Sequence, residues 1–267
     1  MKPPRFILAA SLWIAAPQAS IAQTPPAVDP AIAPEKAAEH DDGRRTLRRL
    51  PANLGRGAIG VFHRDNLWLA LIGGATAGTA STQDDAVRDA IAGDSNWSQT
   101  FETAGGPLCS SIFVAGMFTA GRLSHSNRFR ALTYDLVDAA VVDFTYASVL
   151  KVSVRRERPD GHNNQSFPSA HTSHAFAMAT VAQQHYGWKV GVPAYLFAGT
   201  MGVSRLRQNK HWLSDVMAGA TLGYIVGRTV VRVNSRPLAA RVGRQAEWNV
   251  APIVARHAGG LQLGVAF

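Results

Sequence analysis

The chain has 267 residues, of which 46% are hydrophobic and only 17% charged, a balance that excludes a mainly disordered chain, a collagen and a long coiled coil. Its 27 Lys and Arg residues exceed 18 Asp and Glu to give a formal charge of +9, which favours an anionic partner without choosing between nucleic acid, membrane headgroups and phosphorylated molecules. The single cysteine, Cys109, excludes an internal disulfide framework and a Cys-based zinc cluster, and it reads as a small buried packing residue.

The elements follow in chain order. Lys2 and Arg5 precede an apolar run at 6–16, and Ser20 and Ala22 place small residues where a signal peptidase needs them. Residues 1–22 therefore read as a signal peptide cleaved after Ala22; the run is short of the ~20 residues of a spanning helix. Export argues against a nucleic-acid partner and points to a bacterial-type cell envelope. Residues 23–52 read as a flexible linker, with Pro25, Pro26, Pro30 and Pro34 breaking helical periodicity. Its basic cluster, Arg44, Arg45, Arg48 and Arg49, is either a solvated tether or a contact with anionic headgroups, where each basic residue adds about 1 kcal/mol.

Residues 53–235 read as one all-α domain. Six apolar segments, roughly 66–81, 107–122, 130–151, 171–186, 189–204 and 214–231, are rich in Ala, Leu and Met, and no strand alternation competes with them. Whether this six-helix bundle spans a membrane stays open. Asp135, Asp138 and Asp143 in the third segment need an interior location. The stretch 103–121 carries no charge, and Trp68, Trp188 and Trp212 fall near segment ends as interfacial aromatics do. Residues 236–267 read as an extension ending in a short β-hairpin, with alternating Leu261, Leu263, Val265 and Phe267 after a turn at Gly259-Gly260.

The chemistry concentrates between 151 and 215. His211 and Asp215, four apart, share one face if helical, so the carboxylate could accept the imidazole Nδ1 proton and leave Nε2 free as nucleophile or base. Ser169 after Pro168 suits a helix N-cap, whose free N–H groups suit a phosphate, with His171 beside it. Lys151 and Arg158 lie two turns apart if helix continues to Pro159, and Arg205 adds a third cation. Arg155 and Arg156 fit no position and read as solvated or headgroup-facing. His174 reads as a core or rim residue, and His185 shows no partner pattern. Each feature taken alone is an ordinary surface pair, cap or charge.

Together, Lys151-x6-Arg158-Pro159, Pro168-Ser169-Ala170-His171 and Ser204-Arg205-x5-His211-x3-Asp215 resemble the type 2 phosphatidic acid phosphatase superfamily, shared with bacterial class A acid phosphatases and vanadium haloperoxidases. The one departure is Ala170, where the family usually has Gly; Ala keeps the N–H and is tolerated if the residue is helical. The resemblance implies that His211 attacks phosphorus, Asp215 orients it, and His171 protonates the leaving oxygen. It implies that Lys151, Arg158, Ser169, Ala170 and Arg205 bind the phosphoryl oxygens. The expectation is a phosphatase of lipid or small phosphoesters that needs no metal and no other cofactor, works in the cell envelope on the periplasmic side, and associates with the membrane. A soluble periplasmic acid phosphatase, a vanadate-dependent haloperoxidase and a non-catalytic envelope protein are the alternatives. Oligomeric state is not legible.

Overall fold

The computed structural model describes residues 42–93 and 96–235, together with the backbone of 247–255 and 258–266. The expected signal peptide, most of the expected linker and residues 236–246 lie outside the described residues.

Nine α-helices occur among the described residues: α1 Leu50–Gly60, α2 Leu67–Ser81, α3 Asp84–Ile91, α4 Asn96–Gly105, α5 Pro107–Leu123, α6 Asn127–Val154, α7 Ala170–Tyr186, α8 Trp188–Arg207 and α9 Leu213–Ser235. The six apolar segments correspond to α2 and α5 to α9. The expected count of six is corrected by α1, α3 and α4. Those three helices are short and polar or glycine-containing, so apolar run length did not reveal them. Helix ends follow local chemistry. The Ser126 side chain accepts from Phe129 N at the start of α6, and Arg155 closes that helix in the left-handed region at φ 52°. Gly187 at φ 76° separates α7 from α8. The backbone of β1, Glu247–Ala255, pairs antiparallel with β2, Ala258–Ala266. Gly259 and Gly260 lie opposite Val254 and Ile253, so they are strand positions rather than the expected turn.

The closest helix contact is α7 against α9. Gly219, Gly223 and Gly227 recur every four residues and turn toward the α7 backbone. A Cβ at Gly219 would stand 2.6 Å from Ser169 O, and one at Gly227 2.6 Å from Ala177 O; one at Gly223 would strike Ser173 O. Only a residue without a side chain lets two helix backbones approach so closely. Around this contact Leu136, Ala139 and Val142 of α6, Val181 of α7, and Val226 and Val230 of α9 form the apolar core.

The three acids of α6 are interior. Asp135 accepts from Arg45 Nη2 and His185 Nε2 at 2.8 Å each and from Asn234 Nδ2 at 2.9 Å. Asn234 also donates to Asp138 at 2.8 Å, and Asp143 accepts from Ser173 Oγ. This corrects two expectations. His185 has a partner, Asp135. The linker reading fails from residue 42 onward, because this segment is fastened to the bundle. Arg45 reaches Asp135, Asp42 pairs with Arg122 and Arg130, and Tyr134 Oη donates to Thr46 O. Cys109 is exposed rather than buried.

The outer helix faces are apolar. Leu67, Trp68, Leu71 and Ile72 of α2, Ile112 and Phe113 of α5, Phe144 and Val152 of α6, and Leu196 and Phe197 of α8 are all exposed. Among the described residues, one helix, Leu213–Ser235, is long and apolar enough by composition to cross a membrane.

Removing one partner of a buried ion pair strands the other charge. Arg45→Ala is expected to lower stability by about 3 kcal/mol, read as a drop in thermal midpoint in detergent. Arg48→Ala, at an exposed position of the same segment, is expected to change it by less than about 0.5 kcal/mol.

Candidate active site

The site forms where the end of α6, the start of α7, the end of α8 and the start of α9 meet. The α7–α9 contact fixes its centre, because Ser169 N donates to Asp215 O at 3.1 Å. Ser169 holds the N-cap position of α7, and its Oγ shares a 2.9 Å hydrogen bond with Thr172 Oγ1. Ala170 is the first helical residue. It has no positive φ, so alanine fits where the family usually has glycine. The first-turn N–H groups of a helix have no intrahelical acceptor, which leaves the start of α7 suited to an anion.

Three cations face this point from different elements. Lys151, in the last turn of α6, donates from Nζ to Gln165 O at 2.6 Å. Helix α6 stops at Val154, so Lys151 and Arg158 do not share a helix; Pro159 comes too late to be the stop. The loop instead folds Arg158 back, with its N donating to Asn163 O at 3.0 Å and Ser166 N to Arg156 O at 2.9 Å. Arg205, on α8, is almost wholly buried. Its Nη1 donates to Gln208 Oε1 at 2.6 Å and lies 3.3 Å from Glu102 Oε1. The Nε atoms of Arg158 and Arg205 are buried without a hydrogen-bond partner. Buried guanidinium donors left open are costly unless an anion completes them.

His171, in the first turn of α7, lies within electrostatic reach of Arg205, His211 and Lys151. His174, one turn on, bonds Ser110 Oγ through Nε2 at 2.7 Å. A cavity of about 650 Å³ between α5 and α6, lined by Val114, Phe118, Val137 and Phe144, ends at Ala170 and His171.

His211 lies in the loop before α9, which begins at Leu213, so the expected one-face helical pair is replaced by a loop residue beside a helix start. Its Nδ1 is 3.7 Å from Asp215 Oδ2 and has no hydrogen-bond partner. That distance is an ion-pair distance, not the expected hydrogen bond. The reason is that Asp215 is already occupied. Oδ2 accepts from Ser166 Oγ at 2.5 Å and Trp212 N at 2.9 Å, and Oδ1 accepts from Arg156 Nη1 at 2.8 Å. Such contacts commonly tighten when substrate binds.

Arg156 was expected to face solvent or headgroups and instead is structural to the site. Nη2 donates to Asp84 Oδ2 at 2.7 Å and Nη1 to Ser214 Oγ at 2.6 Å. Asp84 also accepts from Ser214 N at 2.9 Å. Trp212 is likewise committed here. Its ring lies under Arg88 and Arg156 and its Nε1 donates to Glu157 O. Asp84, Arg156 and Glu102 escaped the sequence reading because their partners lie many residues away.

Residues 131–237 match the family model of the PAP2 superfamily, a stretch containing Lys151, Arg158, Ser169, His171, Arg205, His211 and Asp215. Over 124 residues the chain is 36% identical to a lipid A 1-phosphatase of Porphyromonas gingivalis, covering 45% of this chain. The chain spans about a quarter of that relative's length, 27%. Among solved structures, a transmembrane PAP2-type phosphatidylglycerolphosphate phosphatase of Bacillus subtilis is similar with a TM-score of 0.51 and 20% identity, over 62% of this chain and 92% of that one. This likeness shows the fold. LpxE of Aquifex aeolicus aligns with a TM-score of 0.35 and 23% identity, over 50% of this chain and 93% of that one.

Burial, aided by Lys151 and Arg158 and opposed by Asp215, lowers the His211 imidazole to about 4. The ring is therefore neutral, with a free lone pair, at every pH above about 4. A ¹⁵N NMR titration of His211 is expected to show a midpoint near pH 4. A midpoint near the ordinary 6.5 contradicts its burial among cations.

Proposed function

We propose, from the match of residues 131–237 to the PAP2 superfamily model, that this chain is a phosphoric ester hydrolase that removes phosphate from lipid monoesters or diphosphates through a phosphohistidine intermediate. The observation that carries this reading is the mutual proximity of Lys151, Arg158 and Arg205, with Lys151 and Arg205 also near His171 at the start of α7. Fixed cations of this kind neutralise the charge spread over a transferring phosphoryl group, which is where most phosphoryl-transfer catalysis resides. They can supply the neutralisation that a divalent metal supplies elsewhere.

In the first step the His211 Nε2 lone pair forms a P–N bond. The ester P–O bond breaks, and the leaving oxygen takes a proton from His171. In the second, a water oxygen attacks phosphorus, its proton passes to His171, and the P–N bond breaks to restore His211. The arriving phosphoryl dianion supplies the counter-charge that lets His171 hold its proton among so many cations. Asp215, held by Ser166, Trp212 N and Arg156, steadies the imidazolium that forms as His211 is phosphorylated.

The lipid part of the proposal rests on the apolar outer faces and on the apolar cavity that ends at His171. Large apolar side chains exposed on four helices suit a membrane better than water. Similarity to a lipid A 1-phosphatase supports the same substrate class. The enzyme is then seated in the cell-envelope membrane with its catalytic end on the exported side. Phosphatidic acid, phosphatidylglycerol phosphate, polyprenyl diphosphate and lipid A phosphates share the required chemistry.

The test is phosphate release by the purified protein in mild detergent with a chelator present. Phosphatidic acid and a polyprenyl diphosphate are expected to be hydrolysed faster than a small aryl phosphate, and His211→Ala to lose at least about 10³-fold in rate. Aryl phosphate turned over best points to a soluble-type phosphatase of broad specificity. Activity abolished by chelator and restored by a metal contradicts the mechanism.

A further inference from the structure

The three cations of the site are not equally free to receive substrate. Lys151 donates to a backbone carbonyl, and Arg158 makes its hydrogen bond through the main chain while its Nε stays open. Among the described residues, Arg205 alone of the three has a carboxylate at ion-pair distance, that of Glu102 at 3.3 Å. The two partners differ sharply in environment. The Arg205 side chain is 3% exposed, whereas that of Glu102 is 47% exposed. One end of the pair is thus fixed in the protein and the other can swing into water.

Helix α4 holds the carboxylate in place from outside the catalytic motifs. Phe101 packs on Phe197 of α8 with ring centroids 5.3 Å apart, and Gln208 Nε2 donates to Ser98 O at 2.5 Å while its Oε1 accepts from Arg205. At the end of α4, a Cβ on Gly105 would meet Met201 Cε at 2.5 Å and His171 Cδ2 at 3.2 Å. The helix therefore lies directly against the site, with Glu102 one turn back from the imidazole. A carboxylate and a phosphoryl group present the same kind of anionic oxygen to a guanidinium.

We propose that Glu102 is a resident anion on Arg205. It balances the buried guanidinium when the site is empty, gives way to the phosphoryl group on binding, and returns as inorganic phosphate leaves. This inference rests on the phosphatase reading of the same site. It assigns Glu102 a role in affinity and product release rather than in bond making. The half-exposed pair is weak enough to break in each cycle, while like-charge repulsion near the phosphate keeps product from lingering.

The experiment measures inorganic phosphate as ligand, so that no turnover is needed. Full-length protein in detergent is titrated with phosphate at pH 8, in the His211→Ala background, with and without Glu102→Gln. Glu102→Gln is expected to tighten phosphate binding by about fivefold, a size typical of one screened charge contact. In the otherwise wild-type chain it is expected to lower KM and the phosphate inhibition constant together. Glu102→Asp keeps the charge and is expected to stay within about twofold of the parent. Unchanged thermal midpoints for both variants establish that they are folded. Equal phosphate affinity with Glu and Gln overturns the inference and leaves the phosphatase reading standing. Binding by neither protein overturns both.

Discussion

The backbones of α7 and α9 meet without side chains between them at Gly219, Gly223 and Gly227, and the geometry of the site follows from that contact. It brings the start of α7 against the start of α9, so that Ser169 N can donate to Asp215 O. One segment carries the helix start at Ser169 and Ala170 with His171; the other carries Asp215 and follows His211. Two motifs some forty residues apart thereby become a single site. A side chain at any of the three glycines would push the helices apart and separate the two histidines.

Charge is distributed along α6 in a way that complements this contact. Near its start Asp135 accepts from Arg45, His185 and Asn234, and Asp138 accepts from Asn234 through Oδ2. Near its end, Lys151 joins two arginines around an opening with no full complement of acceptors. The two polar clusters are separated by about sixteen residues of helix, or roughly 24 Å, with the apolar core between them. The first fastens the segment before α1 and the end of α9 to α6, with Asp138 Oδ1 and Asn234 Oδ1 left without partners. The second leaves the Nε donors of Arg158 and Arg205 open and is the proposed phosphate site. Asp84, Arg156 and Ser214 form a third group that ties Asp215, beside the proposed nucleophile His211, to α3.

Much of this was legible in the sequence because it is local. The six apolar segments give α2 and α5 to α9 to within a few residues, and the motif residues all converge on one place. What was not legible depends on distant partners. Arg156 looks like a spare charge until Asp84, 72 residues away, is seen beside it. His185 has no partner within its own helix and finds one 50 residues earlier. The spacing of His211 and Asp215 suggests a helical pair, yet the helix starts between them, and the competing donors of Asp215 hold the distance at 3.7 Å. Helices α3 and α4 are too polar to register as core elements; their value lies in single carboxylates aimed at arginines.

The central claim is that His211 takes the phosphoryl group onto its own nitrogen. The direct measurement is a rapid quench of His171→Ala with an aryl phosphate, whose leaving group departs without a proton, followed by peptide mass spectrometry under non-acidic conditions. The account predicts a phosphate on the peptide containing His211, accumulated because the water-activating imidazole is gone, and none in the His171→Ala, His211→Ala double variant. Steady turnover with no phosphoprotein, or phosphate on another residue, would contradict it.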